Sequence, residues 1–296
     1  MLTGVLAGLL AGALWGLVFV APRMASGYSP VDFSAGRFVA YGLTALVMTG
    51  LAARPRLPDG RQALAAMGMS LLGFSGYYLL LVFAIRDAGT EVPSLVIGTI
   101  PLWVMLLGKP GHLRWSALVP GLVLTAAGLA LMLASTHAAG PAEGGAHFWR
   151  GVAFAAASLA SWTAFALLNS AWLKRHPEVN ATSWANWLGL ATGGGALVLW
   201  AVAGSPASVL LAQPAAPMFA LLCLATGVGS AWLATILWNV ASRRLSASLC
   251  GQLIVSETLF ALAYSFAWDG RWPAPAEAAA VLLFTLGILA SIKAHR

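Results

Sequence analysis

The stretch Ser246–Asp269, SASLCGQLIVSETLFALAYSFAWD, is long and apolar enough to cross a bilayer once, and it carries a carboxylate near its centre, Glu257. A helix needs about 20 predominantly apolar residues to cover roughly 30 Å of hydrocarbon. An acidic group at the middle of such a helix costs about 2.5–3.5 kcal/mol, so it faces a packed interior or a watery cavity rather than lipid, and it reads first as a functional group. Helical spacing puts Glu257 on one stripe with Leu253, Phe260 and Tyr264, and places Gln252 and Ser256 on the stripe beside it. The blander reading is a structural carboxylate hydrogen-bonded between helices.

Composition extends this reading to the whole chain. Of 296 residues, 60% are hydrophobic and only 8% charged, and the mean hydropathy is +0.84; a water-soluble fold has no place to hide that much apolar surface. The fold class is therefore all-α integral membrane. The net charge of +7 comes from basic residues scattered between apolar runs, which points to membrane orientation and away from a nucleic-acid partner. Cys223 and Cys250 both fall within apolar segments and form no CxxC pair. The N-terminal run MLTGVLAGLLAGALWGLVFVAPR lacks a basic leading segment, so it is expected to stay as a first helix rather than be removed as a signal.

Breaks at Pro, Gly and charged residues give ten expected spans, near 2–21, 30–52, 62–85, 91–108, 115–135, 149–171, 181–203, 216–240, 246–268 and 275–293. The second has a readable start: Ser29 can cap it, Pro30 suits the first helical position, and Asp32 favours the positive end of the dipole. With the N-terminus in the cytoplasm, Arg54, Arg56, Arg61, Lys109, Arg114, Lys174, Arg175, Arg243, Arg244, Lys293 and Arg296 fall inside, against Arg23, Arg86, Arg150 and Arg271 outside. Eleven against four is a clear inside excess, so both termini are expected in the cytoplasm.

The Gly/Ala/Pro-rich segment 136–148, THAAGPAEGGAHF, divides the chain into halves 1–140 and 141–296 with five spans each. Five is odd, so the halves must lie inverted. Weak internal similarity agrees: AIRDAGTEVPSLVIGTIPL resembles ASRRLSASLCGQLIVSETL in spacing, Arg114-Trp115 recurs as Arg271-Trp272, and Trp15 has a counterpart in Trp162. Inverted repeats with a site near the midplane are a common architecture of secondary transporters.

Catalytic chemistry finds little support. His112, His137, His147, His176 and His295 all sit in loops or at the terminus, and the sequence carries no metal-ligand spacing, nucleophile elbow or phosphate loop. No cofactor is expected. Gly4, Gly8, Gly12 and Gly16 form a smooth ridge on the first span for close helix packing. Seven tryptophans (Trp115, Trp149, Trp172, Trp184, Trp200, Trp268, Trp272) lie near span ends, where aromatic belts are expected. Trp15, Trp103, Trp162, Trp187, Trp232 and Trp238 lie deeper, where an indole N–H needs a partner. Several stand near polar groups at helical spacing, as Trp162 does with Ser158 and Asn169, and Trp232 with Thr235 and Asn239; Tyr77 and Tyr78 add two phenols on the third span. Ordinary core packing explains any one of these, while a cavity of flat aromatic faces with a few hydrogen-bonding groups explains them together. Arg37, two turns into the second span, reads as a structural residue that snorkels or meets a carbonyl or carboxylate.

ALWG around Trp15, GRFVAYG around Arg37, Pro101 within TIPLW and the ten-span inverted plan resemble the EamA branch of the drug/metabolite transporter superfamily over essentially the whole chain. GQLIVSET in the ninth span is similar to the YddG-type aromatic amino-acid exporters of bacterial inner membranes, although Thr258 stands where the broader branch often has a proline matching Pro101. The resemblance implies spans 1, 3, 4, 6, 8 and 9 around a central cavity, with 2 and 7 flanking and 5 and 10 behind. The expected activity is export of aromatic amino acids and related metabolites across the inner membrane by alternating access, with a small-molecule substrate and the lipid bilayer as partners. Its ring would stack on Trp162, Tyr78 or Trp103, and its charged groups would meet Gln252, Ser256, Asn239 and Glu257. The alternatives are a broad exporter of amphipathic drugs or cationic metabolites, and a membrane scaffold or receptor with no transport cycle.

Overall fold

A computed structural model describes residues 1–24, 27–53, 55–89, 91–136 and 147–295. Within them the chain is helical throughout: α1 (Leu2–Gly16), α2 (Ala21–Met24), α3 (Pro30–Gly50), α4 (Gly60–Gly73), α5 (Ser75–Ala88), α6 (Glu91–Gly98), α7 (Ile100–Leu107), α8 (Trp115–Thr136), α9 (Phe148–Arg175), α10 (Ala181–Ala203), α11 (Ala207–Ala212), α12 (Ala216–Thr226), α13 (Ala234–Arg244), α14 (Ala247–Asp269) and α15 (Pro275–Ala294). Eight helices or helix runs are long and apolar enough to cross a membrane: Leu2–Phe19, Gly60–Ala88, Trp115–Met132, Phe148–Arg175, Ala181–Ala203, Ala216–Arg244, Ala247–Asp269 and Pro275–Ala294. The other two expected spans are α3, 21 residues long with Asp32 and Arg37 in it, and the broken pair α6 and α7. Most of the 136–148 linker, His137, Arg54 and Arg296 lie outside the described residues.

The start of α3 follows from its sequence. Ser29 Oγ accepts from the Asp32 backbone nitrogen at 3.1 Å, while the Asp32 carboxylate accepts from the Ser29 nitrogen and hydroxyl. The same carboxylate accepts from the backbone nitrogen and hydroxyl of Ser205 at 2.7 and 2.8 Å, which fastens α3 to the turn after α10. Small residues then set the packing. A methyl on Gly42 or Gly193 would meet the other glycine's Cα at 2.8 Å, so α3 and α10 touch backbone to backbone, and Tyr41 Oη donates to the Ala185 carbonyl at 2.7 Å. The Gly4–Gly8–Gly12–Gly16 ridge lies on Leu245, Leu253, Ser256 and the Glu257–Ala261 backbone, which makes α14 the chief partner of α1. In the same way α5 packs on α9, with Gly151 against Ala88, and α8 packs on α15, with Gly128 against Phe284.

Four of the expected spans are interrupted. The first passes into a tight 3-10 turn at Leu17–Phe19. The third, expected as one helix over 62–85, breaks at Phe74, whose φ and ψ of −131° and −91° are not helical. The fourth breaks at Thr99 because Pro101 in the first turn of α7 has no N–H to continue the ladder of α6. The eighth widens into a π-turn at Gly227–Leu233. There Gly227 sits so close to α3 that a methyl would meet the Arg37 carbonyl at 2.7 Å.

The two ends of the bundle differ. At the end that carries Lys174, the turns are stitched together: Lys174 Nζ donates to the Leu245 carbonyl at 2.7 Å, the Ser248 nitrogen to the Gly108 carbonyl at 3.1 Å, and Arg243 to the carbonyls of Pro177 and Val179. Residues Ser248–Ser256 of α14 are all buried at this end, whereas none from Glu257 to Asp269 is. At the opposite end, which carries Asp87, the Asp32–Ser205 bonds are joined by peripheral ion pairs: Arg150 and Arg86 to Asp87 at 2.6 and 3.1 Å, and Arg23 to Asp269 at 3.2 Å. A cavity of 430 Å³ opens there between α12, α14 and the segment from the Leu17–Phe19 turn to α2, lined by Leu17, Val20, Met24, Ala225, Tyr264 and Trp268 among others.

Candidate functional site

The helix interruptions gather round one cluster of rings. Trp15 from α1, Trp162 from α9 and Trp238 from α13 form a triangle with centroids 5.3–6.5 Å apart. From Trp162 the contacts run on through Phe165 and Phe74, then to Phe38, Tyr78 and Tyr77, each step 5.2–5.9 Å. Ring pairs in these tilted and edge-on geometries hold one another by about 0.5–1.5 kcal/mol beyond area burial. The break at Phe74 is held open by α9, whose Ser161 and Ser158 hydroxyls donate to the carbonyls of Leu72 and Tyr77 at 2.8 and 3.1 Å. Trp238 is 1% exposed and its indole nitrogen has no partner among the described residues. Trp15 and Trp162 are half-buried, so the triangle has one packed corner and two that are partly open.

Two opposite charges border these rings. Arg37 on α3 is 7% exposed, donates through Nη2 to Tyr78 Oη at 3.1 Å, and lies over the faces of Phe38 and Tyr78 at 4.6 and 5.4 Å. Its Nε is buried with no partner, and among the described residues no carboxylate pairs with it. Glu257 is half-buried where α14 ceases to be packed on all sides. Among the described residues its carboxylate accepts no hydrogen bond and forms no ion pair. The Glu257 backbone packs against Gly12 and Gly16 of α1, which flank Trp15 in the sequence.

Of the residues singled out from sequence, Tyr78, Trp162 and Glu257 are thus brought to one place, and four are not. Trp103 is 46% exposed, because α7 turns Ile100, Val104 and Met105 inward and leaves Trp103 on the opposite side. Gln252 is fully buried and bonded to Thr125 on α8 and Ser291 on α15, at 2.9 and 3.0 Å, so it ties three helices together. Ser256 donates to the Leu253 carbonyl at 2.7 Å and lies against Gly12, where even a methyl group would strike its hydroxyl. Asn239 is fully buried at the Lys174 end, accepting from Asn169 at 3.2 Å and donating to the Ala181 carbonyl at 3.3 Å. The belt expectation also fails for Trp184, which is fully buried, stacked on Trp172 at 3.6 Å and bonded to Asn169 at 2.7 Å. Trp187 and Trp232 find partners in the Arg56 carbonyl at 2.9 Å and Asn186 at 2.7 Å. Sequence reasoning left Arg37, Trp15, Trp238 and Tyr77 off the list. The signal for Arg37 is present in the sequence: a guanidinium inside a span with no acidic residue three or four positions away, the nearest, Asp32, being five away and consumed by its capping role.

The sequence profile of the EamA-like transporter family matches residues 2–134. Inner membrane protein YtfF of Escherichia coli (strain K12) is 32% identical over 308 aligned positions, covering 99% of this chain and 96% of that protein. A solved structure described only as "Crystal structure of protein" superposes with a TM-score of 0.78 at 22% identity over 98% of both chains, a likeness that concerns the fold alone. The all-helical bundle, its interrupted helices and this full-length similarity lead to one conclusion: the chain belongs to the EamA-like transporter family.

Proposed function

We propose that this transporter exports aromatic amino acids and related metabolites from the cytoplasm, by alternating access of two inverted five-span halves, 1–140 and 141–296. The single observation that carries the substrate class is the ring cluster of Trp15, Trp162, Trp238, Tyr77 and Tyr78, half-open and bordered by a buried cation and a half-buried carboxylate that are not paired. A ring with both an ammonium and a carboxylate fits such a place.

The helix contacts support the inverted halves. Counting segments one to ten, the main pairings are two with seven, three with six, five with ten, one with nine, one with eight, two with eight, four with nine, three with seven and four with six. Advancing each number by five exchanges three–six with one–eight, one–nine with four–six and two–eight with three–seven, and leaves two–seven, five–ten and four–nine in place. That is the pattern a two-fold relation between halves produces. The Lys and Arg excess supports a cytoplasmic Lys174 end, and the name of the Escherichia coli relative supports an inner-membrane location. On that orientation the protein is sealed toward the cytoplasm and open outward. The interruptions at Leu17–Phe19, Phe74, Thr99 and Gly227–Leu233 are places where the helices can bend between states.

A second reading, export of amphipathic cations, is favoured by the free Glu257 carboxylate and opposed by Arg37. Cells that express the protein and are loaded with labelled phenylalanine are expected to lose the label several-fold faster than cells without it. Unchanged efflux of phenylalanine, with faster loss of a lipophilic cation, would decide for the second reading.

A further inference from the structure

We propose that Arg37 is the carboxylate receptor of this site and that Glu257 receives the ammonium, so that the protein selects zwitterions over aromatic amines and aromatic acids. The proposal rests on the reading of the ring cluster as the transport site. It starts from an imbalance: a guanidinium with five N–H donors is 93% removed from solvent inside a span, yet one of those donors is used, on a neutral phenol. A charge buried in a membrane protein is retained where it has a partner or a task. Snorkelling does not describe it, since the head group is tied inward to Tyr78 and buried over two ring faces.

Among the described residues a permanent structural partner is also missing. The nearest acidic residue along α3 is Asp32, and both its oxygens are engaged by Ser29 and Ser205. Asp87 is occupied by Arg86 and Arg150 at the end of the bundle. Glu257 forms no ion pair with Arg37, and its carboxylate has no hydrogen-bond partner among the described residues. A direct Arg37–Glu257 pair would satisfy both and leave nothing for a ligand. Unpaired, Arg37 offers free donors beside Tyr78 and Phe38, and Glu257, whose backbone packs against Gly12 and Gly16 flanking Trp15, offers a free acceptor.

An α-amino acid engages such a donor and such an acceptor with charge-assisted hydrogen bonds at its two ends. An amine lacking the carboxylate leaves Arg37 unpaired and is repelled by it, and an acid lacking the ammonium does the same at Glu257; buried polar groups left unpaired are what make a site reject an analogue.

The test uses the full-length protein reconstituted in liposomes, with exchange of labelled L-phenylalanine competed by L-phenylalanine, phenethylamine or 3-phenylpropionate. Wild type should prefer L-phenylalanine to either analogue by tenfold or more. Arg37→Gln should bring phenethylamine within about threefold of L-phenylalanine, Arg37→Lys should restore part of the preference, and Glu257→Gln should lose discrimination against 3-phenylpropionate instead. An Arg37→Gln protein that keeps the tenfold preference over phenethylamine overturns the proposal. Thermal shift in detergent, with the same compounds plus leucine and threonine, separates this from failure of the underlying reading. If wild type exchanges no phenylalanine but a carboxylate-bearing compound stabilises it and not Arg37→Gln, the aromatic reading falls and the receptor stands; if no such compound separates the two proteins, the receptor falls.

Discussion

The two halves of α14 make a sharp contrast. From Ser248 to Ser256 every residue is buried, Gln252 and Ser256 are bonded to α8, α15 and their own helix, and Gly12 comes close enough to exclude even a methyl group. From Glu257 onward the same helix is only partly covered, its carboxylate is unmatched, and Tyr264 lines an open cavity. One helix is thus a post in one half and a wall in the other. What changes is not hydrophobicity but neighbours: α1, α7 and α15 enclose the first half, and nothing encloses the second on all sides.

The strongest way to break the contrast is at Gly12. Gly12→Val drives a side chain into Ser256 and the backbone of Glu257, and overpacking of this kind costs about 1–3 kcal/mol or more. Folded yield and melting temperature in detergent should both fall, with transport lost. Gly194, with nothing within 4 Å, is the control: Gly194→Ala should leave the melting temperature unchanged or raise it, in line with the roughly 0.4–1 kcal/mol gained where the backbone suits alanine.

Trp162→Ala comes next and separates function from stability. The ring is half-buried, so its loss should cost less than the ~3–5 kcal/mol of a fully buried aromatic while reducing phenylalanine exchange tenfold or more. Normal exchange by a well-folded variant would return Trp162 to ordinary packing. Asn239→Ala sharpens the sealed side. It leaves the Asn169 amide without its acceptor, a loss of about 1–3 kcal/mol visible as a lower melting temperature, while the ratio of phenylalanine to phenethylamine stays that of wild type.

How much of this is legible in the sequence depends on whether the deciding partner is local. The Ser29–Asp32 cap and the Gly4–Gly16 ridge are local patterns, and both appear as read. Pro101 announces the break at Thr99 because a proline lacks its N–H wherever it stands. Phe74 and Gly227–Leu233 carry no such mark, and their departures from the helix depend on α9 and α3 beside them. Helical spacing places Gln252, Ser256 and Glu257 on neighbouring stripes of one helix. It cannot say that Thr125, 127 residues away, and Ser291, 39 away, satisfy Gln252 while no described residue bonds the Glu257 carboxylate. Trp103 fails for a related reason, since the apolar faces of α7 are alike until α14 selects one. The two-half division and the place of each charged group toward a substrate remain proposals.

The smallest effect expected is chemical. The thiols of Cys250 and Cys223 are 2% and 6% exposed, so neither should react with a membrane-impermeant maleimide in the folded protein. A cysteine in place of Tyr264, in the open half, should react readily. Labelling of Cys250 at a rate similar to residue 264 would remove the difference between the two halves.

The most direct test of the central claim is counterflow. Liposomes containing the pure protein are preloaded with unlabelled L-phenylalanine, and entry of labelled phenylalanine, tyrosine and tryptophan is followed against protein-free liposomes. The account predicts a saturable, transient accumulation of all three labels that the Trp162→Ala protein fails to support. Label entry no greater than in protein-free liposomes, from a preparation whose melting temperature shows it folded, would contradict it.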